Sequence, residues 1–494
     1  MSRLPRRQAG VLLPISALPS DFGIGDFGPS AHKVLAWLAA AGQSYWQLLP
    51  LTIPDNVGSP YASPSMMAGN WLLISPELLV RDKFIPAKAL SAWRMKSATV
   101  KYHQVTAAKR QLLRLAFHHF LETATAAQHR EWRRFVRREA EWLEPAAWFL
   151  GLKRAFHGQP WWQWPKQFQS WPIKNPERLK RYRPQYEFQT WMQWQYHRQW
   201  RELRRAAKNV GIRFIGDIQF GPPLDSVEIW SRPELFLLNR RHRPVAVAGV
   251  PPDYFSKLGQ RWGTPVYRWS GHRADRFRWW LTRFRLAADR YDVVRFDHFR
   301  GLVATWHIPA SHKDARRGHW VASPGQEIWR RVRRGFGGRI IAEDLGHFSL
   351  KEEKLRRAWQ TDGTRVWQFG WSGLPHNVHA PHHIPQDVFF YSSIHDTNTT
   401  LGWWRDDARP YERLHVHETY GRINAVNWAA IVAVLASQAD GAIVPIQDYL
   451  GLGSAGRMNR PGRIRGNWQW CLPRRGLTPA LAHRINRLVR SYGR

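Results

Sequence analysis

The sequence predicts an α/β fold, a (β/α)8 TIM barrel carrying inserted, largely helical subdomains, and three observations lead there. Short apolar runs of strand length recur along the chain, separated by helical patterns. Three of these runs deliver an acid just before a turn, at Asp297, Glu343 and Asp396. The 494 residues, 44% hydrophobic and 14% aromatic, also exceed what one barrel needs and leave room for insertions.

Taken in order, residues 10–18 (GVLLPISAL) read as a first strand and residues 22–28 (FGIGDFG) as a tight glycine turn. The glycines lack the lysine and the spacing of a phosphate loop. Helical periodicity follows over residues 29–41, then a second strand at residues 44–51 (SYWQLLPL). The loop over residues 52–70, with GSPYASPS, is broken by Gly58, Pro60 and Pro64, so a place above a strand's carboxyl end suits it. Its Tyr61, taken alone, reads as a packed ring before a platform for a sugar.

Residues 76–210 show apolar positions every three or four, with many Arg and Trp, and are predicted to be a helical insertion between strands 2 and 3. Residues 213–217 (RFIGD) resume the barrel and end at Asp217. Residues 218–272 form a predicted loop-rich insertion between strands 3 and 4; its GVPPDYFSKLGQRWG offers Tyr254, Phe255 and Trp262 between backbone breakers, which fits a sugar-binding rim or lid. After a helix at residues 275–290, strand 4 (YDVVRFDHFRG) ends in Arg295, Asp297, His298 and Arg300. Strand 5 (RIIAEDLG) ends in Glu343 and Asp344; TRVWQFGW reads as strand 6 over residues 364–371. Strand 7 (FFYSSI) delivers His395 and Asp396, strand 8 ends at Gln447 and Asp448, and a basic helix over residues 478–494 closes the ring. Eight strands suffice, with no second sheet, and the whole chain 1–494 reads as a single catalytic barrel.

One acid at a strand end is an ordinary helix cap or surface ion pair, and Asp297 with Arg300 could be that. Three at helix-plus-strand spacing point to one mouth, where strand ends distant in sequence meet. Retaining glycoside chemistry needs a nucleophilic carboxylate and a carboxylic acid that protonates the leaving oxygen. Asp297 suits the nucleophile, because the neighbouring Arg295 favours its charged form. Glu343, delivered by an apolar strand, suits the acid/base because desolvation raises a carboxyl pKa; Asp396 suits stabilisation of the oxocarbenium-like charge.

Composition bounds the alternatives. The formal net charge is +37, from 74 Lys and Arg against 37 Asp and Glu, and 30 tryptophans could stack on bases. The basic residues are dispersed and no nucleic-acid motif accompanies them, so a nucleic-acid partner is not expected. The single cysteine, Cys471, allows neither an internal disulfide nor a cysteine zinc site. Four histidines in HNVHAPHH (residues 376–383) have no acid at ligand spacing, so no metal site is expected. The N-terminal apolar run is short and broken by proline, so neither a signal peptide nor a membrane span is expected and a cytoplasmic protein is.

Motif by motif, the chain resembles glycoside hydrolase family 77, the amylomaltases or 4-alpha-glucanotransferases. The matching stretches are GVLL with FGIGDFG, WQLLPL with GSPYASPS and AGN, GVPPDYFSKLGQRWG, RFDHFRG, IIAEDLG, HD with NTTLGWW, and IQDYLGLGSAGRMN with GNWQW. The resemblance implies a (β/α)8 barrel and a double-displacement transfer of α-1,4-glucan segments between maltooligosaccharides, amylose or similar glucans, without metal or organic cofactor. Residue by residue it implies Asp297 as nucleophile, Glu343 as acid/base and Asp396 as stabiliser, with Arg295, His298 and His395 around the reacting sugar and Asp217 and Asp344 nearby. Ser59, Tyr61, Trp262 and Asn459 match positions on groove-lining loops. The chain departs from the pattern at HDTNTT (Thr397, Asn398), at LLPISALP and at Gln219, where a proline is usual; none touches the three acids. An α-glucan hydrolase on the same barrel, or a non-catalytic glucan- or polyanion-binding protein, are the readings left beside it.

Overall fold

In the computed structural model, residues 7–252, 256–346 and 349–494 are described. Twelve strands form there: β1 (Gln8–Leu12), β2 (Tyr45–Gln47), β3 (Arg213–Ile218), β4 (Ala246–Val250), β5 (Gln260–Pro265), β6 (Val293–Phe296), β7 (Ala304–Pro309), β8 (His319–Ala322), β9 (Arg339–Ala342), β10 (Gly363–Val366), β11 (Val388–Tyr391) and β12 (Gly441–Pro445). Eight of them pair in parallel in the order β10-β11-β12-β1-β2-β3-β6-β9. The ring closes between β9 and β10, where Ala342 N–H donates to the Asp362 carbonyl at 2.7 Å and Asp362 N–H to that of Ile340 at 3.0 Å. Leu12, Tyr45, Ile215, Val293, Ile341 and Ile443 fill the barrel with apolar side chains, as a packed (β/α)8 interior requires.

Some strands are shorter than the apolar runs that announce them. TRVWQFGW stays in β10 (Gly363–Val366) only as far as Val366 and then turns through a 3-10 helix at Trp367–Phe369; SYWQLLPL pairs only over Tyr45–Gln47. In each case the remaining apolar residues pack in the turn above the strand, which periodicity cannot separate from the strand itself.

A second sheet exists, against the expectation of none. It is antiparallel, in the order β5-β4-β7-β8, and stands between β3 and β9 in the chain. Its strands carry weak signals. β8 is almost wholly exposed, β5 contains Gly263 at φ 77°, and the β4–β5 ladder is bulged between Val247 and Gly249.

Between β2 and β3 the chain runs through helices that include Tyr102–Thr123, Ala126–Arg138, Ala140–Ala155 and Arg183–Asn209. Phe117, Phe120, Trp132, Trp191 and Trp194 interlock among them. The longest helix is also bound to the barrel. Trp200 lies 4.7 Å from the Phe214 ring of β3 and donates its indole N–H to the Arg290 carbonyl. One continuous core thus joins the helices to the barrel.

Arg and Trp are paired rather than merely numerous. The Arg283 guanidinium lies 4.6 Å and 4.8 Å from the Trp279 and Trp280 rings, Arg198 is 4.9 Å from Trp194, and Arg484 is 3.5 Å from Trp428. Cation–π attraction lets an arginine stem cover aromatic surface while its charge finds a partner. Part of the net charge of +37 is placed in this way. Among the described residues, no helix is long and apolar enough to cross a membrane.

Candidate active site

The carboxyl ends of β3, β6, β9 and β11 face one mouth. Asp297 N–H donates to the Ile218 carbonyl at 3.1 Å and Glu343 N–H to that of Phe296 at 3.0 Å, which fixes the acid-bearing ends of β6 and β9 against their neighbours. His298 then adopts a left-handed conformation, φ 51° and ψ 53°, which a non-glycine residue takes only where surrounding contacts hold it. Its backbone N–H donates to Glu343 Oε2 at 2.8 Å. Gly301 leaves the next turn room: a Cβ there would come within 2.6 Å of the Phe220 ring.

Asp297 does not pair with Arg300. Its partner is Arg295 two residues upstream, on the same side of the strand, whose Nη1 lies 3.0 Å from Asp297 Oδ1 and 2.7 Å from Asp217 Oδ2. Burial alone would lower the Arg295 pKa, but the two carboxylates outweigh it and keep the cation charged. For Asp297 the balance differs from the sequence expectation. Burial outweighs the cation, Asp217 and Asp396 add repulsion, and the carboxyl is raised to about 6. It is still ionised at pH 7. Its side chain keeps 27% exposure, so the open cleft hydrates it until a substrate covers it.

Glu343 sits on the His298 amide and accepts a second N–H from Leu345 at 3.2 Å. Burial, with the Asp297 charge beside it, pushes its carboxyl up to about 7 against the pull of Arg295. Burial would also raise Asp396, but His395 and the Asn459 amide, 2.6 Å from Oδ1, outweigh it and hold the group well below the usual carboxylate range. The mouth therefore holds one permanent anion, one carboxylate ionised near neutrality and one carboxyl that keeps its proton longest. Two roles for two carboxyls are set by surroundings alone.

The other sequence-derived residues divide into groups. Tyr61 donates its hydroxyl to Asp217 Oδ2 at 2.8 Å, meets His395 Nε2 at 2.9 Å and stacks on the His395 ring at 5.3 Å. Trp262, on β5 of the second sheet, stands edge-on to the His298 ring at 4.6 Å and is 38% exposed. Burial lowers the His298 pKa to about 3, so the ring is neutral. Its Nε2 makes no hydrogen bond among the described residues. Asp344 turns away: it accepts Thr364 N–H at 2.7 Å and Arg365 Nη1 at 3.1 Å, bracing β9 against β10. Ser59 is half-buried two residues before Tyr61, its N–H on Asp55 Oδ1. No contact among the described residues joins Ser59 to the three acids. Tyr254 and Phe255 lie outside the described residues. In the histidine-rich loop, His379 Nδ1 accepts Val366 N–H at 3.3 Å, a structural use.

Sequence reasoning assigned no role to three supports, although it placed Asp448 at the end of strand 8. Arg457 donates to the Asp396 and Asn459 carbonyls at 2.9 Å and 2.7 Å; one arginine among 74 Lys and Arg carries no distinguishing signal. Trp468 closes the stack behind Tyr61 at 5.7 Å. Asp448 Oδ2 accepts the hydroxyls of Ser392, Ser393 and Thr400, and its Oδ1 accepts Thr400 N–H, all at 2.7 Å. These bonds grip the chain on both sides of Asp396. Asp448→Ala leaves four buried donors unpaired and is expected to destabilise the protein by about 3 kcal/mol or more. The midpoint of thermal unfolding measures this, and Asp448→Asn should lose less.

A family model described as glycoside hydrolase family 77, 4-alpha-glucanotransferase, matches residues 13–477. A 4-alpha-glucanotransferase of Thermus thermophilus is 38% identical over 99% of this chain and 99% of its own. One from Aquifex aeolicus is 36% identical over 94% of this chain and 95% of its own. Among solved structures, an amylomaltase from Streptococcus agalactiae in complex with acarbose is similar with TM-score 0.93 and 31% identity, covering 99% of this chain and 100% of that one.

Proposed function

Because the chain belongs to glycoside hydrolase family 77, the 4-alpha-glucanotransferases, we propose that Asp297, Glu343 and Asp396 transfer α-1,4-glucan segments by a retaining double displacement. Asp297 Oδ attacks the anomeric carbon while Glu343 gives its proton to the departing glycosidic oxygen, which leaves as the free end of the donor's remainder. The glycosyl ester so formed is then attacked by the 4-hydroxyl of an acceptor glucan. Glu343 takes that proton back and Asp297 leaves as carboxylate, so the anomeric configuration is retained. Asp396, the permanent anion, steadies the positive charge on the ring in both steps. Maltooligosaccharides and amylose are the proposed donors and acceptors. The cytoplasm is the proposed compartment, with the lone thiol Cys471 in support.

One observation carries this reading: Glu343 is held on the amide of His298, directly beyond Asp297, with its carboxyl raised above that of Asp297. Hydrolysis would use the same intermediate with water as acceptor. Trp262 against His298 favours sugar by covering that side of the cleft. Incubation with maltotriose should give glucose and a ladder of longer maltodextrins. Reducing ends that rise steadily with no longer products would instead make it a hydrolase.

The same pair sets the pH response. Activity needs Asp297 ionised, so kcat/KM falls as pH drops below about 6; it needs Glu343 protonated, so kcat/KM falls as pH rises above about 7. The two apparent values belong to the coupled pair, and the profile should be a narrow bell. With maltotriosyl fluoride as donor, whose leaving group needs no proton, the fluoride burst should lose the alkaline limb and keep the acid one. A burst profile that keeps both limbs counts against Glu343 as the acid.

A further inference from the structure

We propose that Gln219 and Thr52 form a positioning device for Tyr61. The proposal rests on the reading that Tyr61, Asp217 and His395 line the reacting ring beside Asp297. Gln219 directly follows the β3 end that delivers Asp217, and its side chain is buried at 4% exposure. Its Nε2 donates to Thr52 Oγ1 at 2.8 Å and to the Pro60 carbonyl at 2.7 Å. Thr52 Oγ1 donates to that same carbonyl at 2.9 Å, and the Arg283 guanidinium holds the backbone carbonyl of Gln219. The Gln219 amide and the Thr52 hydroxyl thus close a triangle with one oxygen.

That oxygen belongs to the residue before Tyr61. A proline has no N–H, so its carbonyl is its only backbone handle, and its φ is already fixed by the ring. Two donors on the carbonyl fix the one remaining rotation, and with it the direction in which Tyr61 leaves the loop. The consequence reaches the acids. The Tyr61 hydroxyl bonds Asp217 and meets His395 Nε2, and His395 Nε2 is itself 3.3 Å from Asp396 Oδ2. A small swing of Pro60 would withdraw both Tyr61 contacts together and leave the His395–Asp396 pair unbraced, and misplacement of a positioning group by about an ångström is costly in rate. Gln219 is therefore a positioning residue and touches no substrate itself.

The test is a double-mutant cycle with maltotriose. Gln219→Met keeps the side chain's length and removes both donated bonds; kcat/KM should fall about tenfold. In a Tyr61→Ala background nothing is left to position, so the same change should cost less than about twofold. Thr52→Val should repeat this pattern, and Thr52→Ser, which keeps the hydroxyl, should stay close to wild type. A loss that multiplies in full on Tyr61→Ala, or a Gln219→Met enzyme as active as wild type, overturns the proposal. If Gln219→Met does not fold, the Thr52 pair decides by the same criterion. Failure of the transferase reading would show separately, as a wild-type enzyme that makes no ladder from maltotriose.

Discussion

Replacing Asp297 by Asn is expected to lower the rate of glucan transfer by about 10⁴-fold or more, about 5 kcal/mol in the barrier. The amide keeps the shape and still accepts from Arg295, so binding and fold should survive. Stability should not fall with activity. The folded-state pKa of Asp297 is raised, so the stability contributed by its protonated form is present at low pH and lost as pH rises through about 6. At pH 8 the wild type carries a partly buried anion repelled by Asp217 and Asp396; Asn carries none. The midpoint of thermal unfolding at pH 8 should therefore be unchanged or higher in the variant. Transfer activity near the wild-type level would remove Asp297 from the nucleophile's role.

Glu343→Gln carries the second large effect, and its size depends on the donor. With maltotriose, whose leaving oxygen needs a proton, kcat/KM should fall about 10³- to 10⁴-fold. With maltotriosyl fluoride the first step should be largely spared, because fluoride departs unprotonated. Transfer onward to an acceptor should remain slow, because the base is missing. Equal losses with both donors would mean that Glu343 positions the substrate and does not move a proton.

The barrel and its three acids were legible in the sequence for a physical reason. Parallel strands buried on both faces read as apolar runs, and acids that end several such runs in turn point to the one mouth where those ends meet. What the neighbouring residues do was less legible. Glu343 and Asp344 are adjacent acids with the same sequence surroundings, yet strand geometry sends successive side chains to opposite sides. One faces the mouth; the other braces β10 through Thr364 and Arg365.

Arg295 was visible as a cation beside Asp297, but its sharing with Asp217, 78 residues earlier, arises only when β3 and β6 pair. Because it is shared, and because burial acts on the same carboxyl, Arg295 does less to hold Asp297 ionised than its position suggests. The second sheet escaped because β5 and β8 are mostly exposed and the β4–β5 ladder is bulged, so the one buried apolar run, β4, has no neighbour in the sequence that reads as its partner. The supports Arg457 and Asp448 act through bonds to backbone and hydroxyl groups on other elements, which no local pattern encodes.

The most direct measurement is the intact mass of the Glu343→Gln protein after mixing with maltotriosyl fluoride, followed by peptide mapping. The mechanism predicts a protein heavier by one maltotriosyl group, with the added mass on the peptide that contains Asp297. No added mass, or a glycosyl group found on Asp396 or any other side chain, would contradict it.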